Sequence, residues 1–172
     1  MTSIIDQALA ANATAAASYD PSHSGPPKPK IAIVTCADPR LSGILRLLGL
    51  DEPDVDLIRN VGTVIDDDTI RSLVISTRLL GTQEIMIVNH DGCGMTTFTD
   101  AEFEARLRSE SSEWPIAPAR FFSFTDPVAN TREQMRKTRS HPWIAAEVPV
   151  RGFVLDVGTG LLTEVTDAAE AG

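Results

Sequence analysis

The chain has only two cysteines in 172 residues. Two cysteines cannot build the cross-linked framework that holds small secreted domains together. Basic residues are in deficit as well: 15 lysines and arginines stand against 24 acidic residues, a formal charge of −9. That balance argues against nucleic acid and against an anionic membrane surface as partners. No apolar run approaches the roughly 20 residues that a membrane-crossing helix needs. The Ala-rich start carries Asp6 early and has no basic segment leading into an apolar core, so it does not read as a secretion signal. A cytoplasmic protein without internal repeats is the expectation.

What is present is an ordinary globular composition, 42% hydrophobic and 23% charged, enough to bury the core of one domain without cross-links. Ser3 to Ala17 places Ile4, Ile5, Ala8, Leu9 and Ala11 on one side of a helix. Tyr19 to Lys30 follows with four prolines, two serines and a glycine, the composition of an extended connector. Residues 1–30 therefore read as a helical arm able to reach a neighbouring subunit.

From Ile31 the pattern alternates. Ile31 to Val34, Val55 to Ile58 and Ile85 to Val88 are short apolar runs, as in strands covered on both faces. Leu41, Ile44, Leu45 and Leu48 repeat at helical spacing up to Gly49. Arg59-Asn60-Val61-Gly62 closes the second strand. Asp66, Asp67 and Asp68 then open a helix whose buried stripe is Ile70, Leu73, Val74, Thr77 and Leu80, with Gly81 at its end. A short helix is expected near Ala101 to Arg108, then an irregular stretch, then a helix capped by Asp126 with Pro127 first and Arg136, Lys137 and Arg139 towards its end. Val150 to Val157 is a strand that turns at Gly158-Thr159-Gly160 into Leu161 to Val165, a hairpin. The order predicts an α/β fold: a central, mostly parallel sheet flanked by helices, with a C-terminal hairpin. Residues 31–166 form this α/β domain in this reading, and 167–172 a disordered tail.

Both cysteines and one of the three histidines lie just beyond apolar runs, as Cys36-Ala37-Asp38-Pro39-Arg40 and His90-Asp91-Gly92-Cys93-Gly94. Singly, a cysteine after a strand is an inert small hydrophobe. Together, two thiolates and an imidazole make a zinc set, and three protein ligands leave the fourth tetrahedral position open for water or substrate. Cys36 follows the first strand and His90 the third, so both sit at the carboxyl edge where open α/β sheets bind ligands. The spacing from His90 to Cys93 lets one tight turn supply both ligands, with Gly92 and Gly94 easing it.

Cys-x-Asp-x-Arg and His-x-x-Cys in this order, with Arg-Asn-x-Gly between them, resemble the β-class carbonic anhydrases, and the chain is similar to their compact subgroup. The resemblance runs from about Ile31 to Met95, and the C-terminal strand and hairpin are compatible with it. One departure is Pro39, where serine is common in the family. The resemblance implies that Cys36, His90 and Cys93 hold one zinc per chain and that Asp38 and Arg40 form a dyad beside it. It also implies that the backbone of Gly94 lies near the substrate. The implied enzyme is a zinc lyase that reversibly hydrates carbon dioxide to bicarbonate and a proton. It would work as a homodimer or larger assembly with its site near the subunit interface.

Two thiolates neutralise the zinc charge, so this metal is expected to be a weaker Lewis acid than one held by three imidazoles. Asp38 is then the expected hydrogen-bond acceptor for the reacting water, and Arg40 holds it as a carboxylate with a planar fork. Two other readings compete. A hydrolase of the same fold could act on carbonyl sulfide or carbon disulfide. A non-catalytic zinc or thiol sensor would need a fourth protein ligand or a reversible Cys36–Cys93 disulfide. His23 and His141 read as solvated loop residues, which leaves no obvious proton shuttle. Phe121, Phe122 and Phe124 are expected in the core or at a subunit contact.

Overall fold

The computed structural model describes residues 3–20, 28–111, 118 and 120–167. Five strands form one sheet: β1 (Ile31–Cys36), β2 (Val55–Asn60), β3 (Glu84–His90), β4 (Val150–Leu155) and β5 (Leu162–Val165). Their order is β2-β1-β3-β4-β5. The first four strands run parallel, and β5 returns antiparallel to β4. The expected α/β architecture and its C-terminal hairpin are both present.

The near-continuous apolar runs have their physical reason in two buried layers. On one face Ala32, Val34, Ile85 and Ile87 pack against Leu73 of a helix at Asp67–Ile75 and Met135 of a helix at Pro127–Ser140. On the other face Ile33, Val88 and Leu155 meet Leu41 and Ile44, the latter opening a helix at Ile44–Leu48. Each fully buried aliphatic side chain among these contributes about 1.5–3 kcal/mol. Numbered in chain order, the helices are α1 (Ile4–Ala16), α2 (Ile44–Leu48), α3 (Asp67–Ile75), α4 (Asp100–Glu110) and α5 (Pro127–Ser140). Cys36 and Cys93 belong to the α2 side of the sheet.

Local signals explain most helix ends. Asp66 caps α3, its Oδ1 accepting the Thr69 amide at 2.9 Å, with Asp67 and Asp68 in the first turn. The acidic triplet is thus a helix start. Asp126 caps α5 and Pro127 occupies its first turn. Ser3 and Asp6 form a reciprocal capping box on α1. That helix buries no residue within the chain, and Ile4, Ile5 and Leu9 are 83%, 73% and 64% exposed. Most of the Pro-rich connector, including His23, lies outside the described residues.

Three expectations shift. The helix expected after β1 is split into a 3-10 turn at Pro39–Leu41 and the short α2. The Asp38 carboxylate caps the first turn by accepting the Arg40 amide at 2.9 Å, and Gly43 interrupts helical propagation before α2. The α3 pattern ends in a wider π turn at Ser76–Leu80 before Gly81. The strands also have different ends: β3 continues through Asn89 and His90, whereas β4 stops at Leu155. Cys36 and His90 are therefore the last residues of their strands rather than loop residues beyond them. At the C-terminus Asp167 is held by an ion pair to Arg139 at 2.6 Å, and residues 168–172 lie outside the described part. No helix among the described residues is long and apolar enough to cross a membrane.

Candidate metal centre

Strand order places the site. From β1 the chain passes through α2 to β2 on one side, whereas β3 lies on the other side and leads on towards β4. The carboxyl ends of β1 and β3 thus flank a topological switch point, where diverging connections leave a crevice. Thr35 of β1 stands in register with Val88 of β3. Cys36 follows Thr35 directly and His90 lies two residues beyond Val88, so each closes its strand at the same edge of the sheet. The chain then turns at Asp91-Gly92, with Gly92 at φ +56°, and delivers Cys93.

The three side chains meet. Their donor atoms all lie within 4.8 Å of one another, and all three residues are buried. The two sulfurs are 4.0 Å apart. His90 is fully buried, and its Nδ1 lies 2.8 Å from the Asp91 carbonyl. A carbonyl oxygen only accepts, so Nδ1 carries the proton and the Nε2 lone pair is left open. Nε2 has no hydrogen-bond partner among the described residues although it is buried. An orphaned imidazole nitrogen facing two sulfurs, its tautomer fixed from behind, is the arrangement a metal ligand requires. The Asn89 side chain steadies this strand end, its Oδ1 accepting the His90 amide at 2.8 Å. Cys36, His90 and Cys93 therefore fit a metal ion.

The sulfurs are not equivalent. Cys36 Sγ accepts from the Cys93 thiol at 4.0 Å and from the Gly62 amide at 3.4 Å. These contacts outweigh burial and bring the Cys36 pKa down to about 4. Cys93, the donor of the pair and itself buried, is pushed up. A close glycine makes the amide contact possible. Gly62 sits at φ +86°, and a Cβ there would come within 3.0 Å of the Met95 side chain.

Asp38 and Arg40 form a bidentate pair beside this group. Arg40 Nε donates to Oδ1 at 2.9 Å and Nη2 to Oδ2 at 2.7 Å. Those bonds, with the Arg40 amide, hold the Asp38 carboxyl well below the usual carboxylate range. Asp38 Oδ2 lies 3.9 Å from His90 Nε2, so the ionised carboxylate borders the metal-ligand group. Gly94 is exposed directly after Cys93 and opens a 3-10 turn, its carbonyl accepting the Thr97 amide at 3.2 Å. The phenylalanines are half-buried nearby: Phe121 meets Phe103 edge-on at 4.8 Å, and the Phe124 amide donates to the Met95 carbonyl. His141 stands apart, edge-on to the exposed Trp143.

Two residues beside the group are not evident as such from the sequence. Gly62 supplies an amide to Cys36, and the Arg59 guanidinium donates to the Cys36 and Asp38 carbonyls. Their signal was Arg-Asn-x-Gly at the end of a strand, which by itself marks only a turn.

An open α/β sheet with helices on both faces and a buried Cys-His-Cys group at its switch point, able to hold a metal ion, places the chain in the doubly wound α/β class. The sequence model of a family described as carbonic anhydrase matches residues 31–121. β-Carbonic anhydrase 1 of Mycobacterium tuberculosis is 42% identical over 163 residues, covering 95% of this chain and 98% of that protein. Carbon disulfide hydrolase of Acidianus sp. is 31% identical over 152 residues, covering 76% and 74% of the two chains. The crystal structure of carbonic anhydrase from Streptococcus mutans superposes with a TM-score of 0.86 at 37% identity, covering 96% of this chain and 99% of that one. The chain belongs to the β-carbonic anhydrase family.

Proposed function

We propose that this protein is a zinc enzyme, one ion per chain, that reversibly hydrates carbon dioxide to bicarbonate and a proton. The observation that carries this reading is the buried, unpartnered His90 Nε2 facing Cys36 and Cys93, with ionised Asp38 at its edge. Cys36, His90 and Cys93 hold the metal. Zinc held there would supply a Lewis acid, weakened by the two thiolates, that lowers the pKa of a bound water.

The remaining work belongs to the chain. Asp38, kept as a carboxylate by Arg40, accepts a hydrogen bond from the reacting water and orients it towards the substrate carbon. Arg40 also donates from Nη2 to the Gly92 carbonyl at 2.8 Å, which keeps the dyad against the His90–Cys93 turn. The Gly94 backbone borders the space where carbon dioxide and bicarbonate bind. The exposed apolar face of α1 is covered by a second copy of the chain, giving a homodimer or larger assembly in the cytoplasm.

Stopped-flow carbon dioxide hydration on protein of measured zinc content, at about pH 7 and about pH 8.5, tests the reading. Activity that rises with pH and disappears on chelation supports it. One zinc per chain with no hydration at either pH, but rapid sulfide release from carbon disulfide or carbonyl sulfide, overturns it in favour of the hydrolase. The similarity to the Acidianus hydrolase makes that comparison necessary. The sensor reading is disfavoured because the metal group contains three residues rather than four among the described residues.

A further inference from the structure

We infer that Arg59 is a positioning residue, fixing the reach between the ligand Cys36 and the carboxylate residue Asp38 by holding both of their main-chain carbonyls in one guanidinium fork. The inference rests on the hydration reading above.

Arg59 is the penultimate residue of β2 and stands in register with Thr35. Beyond Thr35 and Cys36 the chain leaves the ladder, and its main-chain polar groups need new partners. The Ala37 amide finds one in the Asn60 carbonyl at 2.8 Å. The carbonyls on either side are taken by one side chain: Arg59 Nε donates to the Cys36 carbonyl at 3.2 Å and Nη2 to the Asp38 carbonyl at 2.8 Å. A planar guanidinium carries its donors at fixed separation and direction, so the two carbonyls are held relative to each other as well as to β2. A lysine ammonium is a point donor on a flexible stem and cannot impose that relation.

The arrangement continues through the same turn. Gly62, three residues after Arg59, donates its amide to Cys36 Sγ. Cys36 is thus gripped at its carbonyl by Arg59 and at its sulfur by Gly62. Asp38 is gripped at its carbonyl by Arg59 and at its carboxylate by Arg40. Arg59 itself bonds to neither sulfur nor carboxylate, so its action is through placement. Without it the Ala37 amide still bonds to the Asn60 carbonyl and the Asp38 carbonyl still accepts the Leu41 amide at 3.0 Å, but no group holds the Cys36 and Asp38 carbonyls at a fixed relation to each other.

The test uses Arg59→Met and Arg59→Lys in zinc-loaded, full-length protein. Folding is checked by circular dichroism, and each variant is compared with wild type in kcat, KM and the rate of zinc loss to a chromogenic chelator. Both variants are expected to bind one zinc per chain, to lose between about 10- and 100-fold in kcat with KM changed less than about twofold, and to release zinc faster. Wild-type kcat and zinc release in Arg59→Met would overturn the inference. So would full recovery in Arg59→Lys, which would assign the effect to charge alone. If Arg59→Met does not fold, Arg59→Lys decides, because it retains the charge and lacks the fork. Wild-type protein that fails to hydrate carbon dioxide sinks the activity reading only, since zinc release still reports on Arg59.

Discussion

Arg40 reaches Asp38 at three points, its amide and Nε both donating to Oδ1 at 2.9 Å and its Nη2 to Oδ2 at 2.7 Å. The same Nη2 bonds to the Gly92 carbonyl, so one side chain joins the turn after β1 to the turn after β3. Ionisation of Asp38 and closure of the two ligand-bearing turns are therefore properties of a single contact.

Asp38→Asn removes the carboxylate and leaves the three metal ligands in place. It is expected to retain zinc and lose about 10²–10⁴-fold in activity, measured by stopped-flow hydration beside metal analysis. Full activity with zinc bound would reject the dyad.

Arg40→Met tests the electrostatic half of the pair. Arg40 lowers the Asp38 pKa in the folded protein, so the pair adds stability above the unfolded carboxylate value of about 4. That stability is lost as pH falls through the lower native value. In wild type the Asp38 carboxyl resonance should stay in its ionised form below about pH 4. In Arg40→Met its midpoint should move up towards that value. NMR titration of labelled aspartate reads this directly, and an unchanged midpoint would assign the shift to something other than Arg40.

The candidate metal group is legible because Cys36 and His90 lie just past apolar runs and Cys93 follows His90 by three residues, and alternation of such runs with helical spacing implies a parallel sheet. Less readable was where β3 ends. Asn89 and His90 look like loop residues, yet they pair laterally with Val154 and Leu155 of β4, more than sixty residues away in sequence. The segment after β1 departs from a single helix for a nearer reason: Leu41, Ile44, Leu45 and Leu48 keep helical spacing, but the Asp38 cap and Gly43 divide the segment. Arg59 was hidden for a third reason. A charged residue at a strand end is indistinguishable from surface until the fold brings the Cys36 and Asp38 carbonyls to it.

Removal of the metal should cost stability as well as activity, because zinc binds the folded group and not the dispersed ligands of the unfolded chain. With free zinc near a thousandfold over its dissociation constant, the linkage amounts to about 4 kcal/mol. For a chain of this size that lowers Tm by roughly 8–16 °C on chelation. Cys36→Ser, His90→Ala and Cys93→Ser should each abolish zinc retention and reproduce the lower Tm without a chelator. Calorimetry of the four proteins with and without zinc makes the check, and a variant that retained both zinc and Tm would remove its residue from the ligand set.

Gly62→Ala places a side chain where φ is +86° and where the Met95 side chain lies 3.0 Å from the new Cβ. The left-handed strain alone is worth about 1–3 kcal/mol, a Tm loss of roughly 2–12 °C. The backbone shift should also pull the Gly62 amide from Cys36 Sγ and weaken zinc retention. A variant with wild-type Tm and zinc content would mean that the turn relaxes without disturbing Cys36.

Deletion of residues 1–30 addresses assembly. A helix with a complete capping box and a continuous apolar face, none of it buried within the chain, gains little from remaining solvated. Covering Ile4, Ile5 and Leu9 against another subunit would remove from water side chains worth about 1.5–3 kcal/mol each when fully buried, repeated at every copy of the contact. The truncated protein is therefore expected to dissociate at concentrations where the full chain remains assembled. Its zinc stoichiometry should be unchanged, since the proposed ligands lie on β1, on β3 and in the turn after β3. Multi-angle light scattering over a dilution series distinguishes the cases: a lower mass for the truncated chain supports the arm as an intersubunit clasp, and an identical mass at every concentration rejects it.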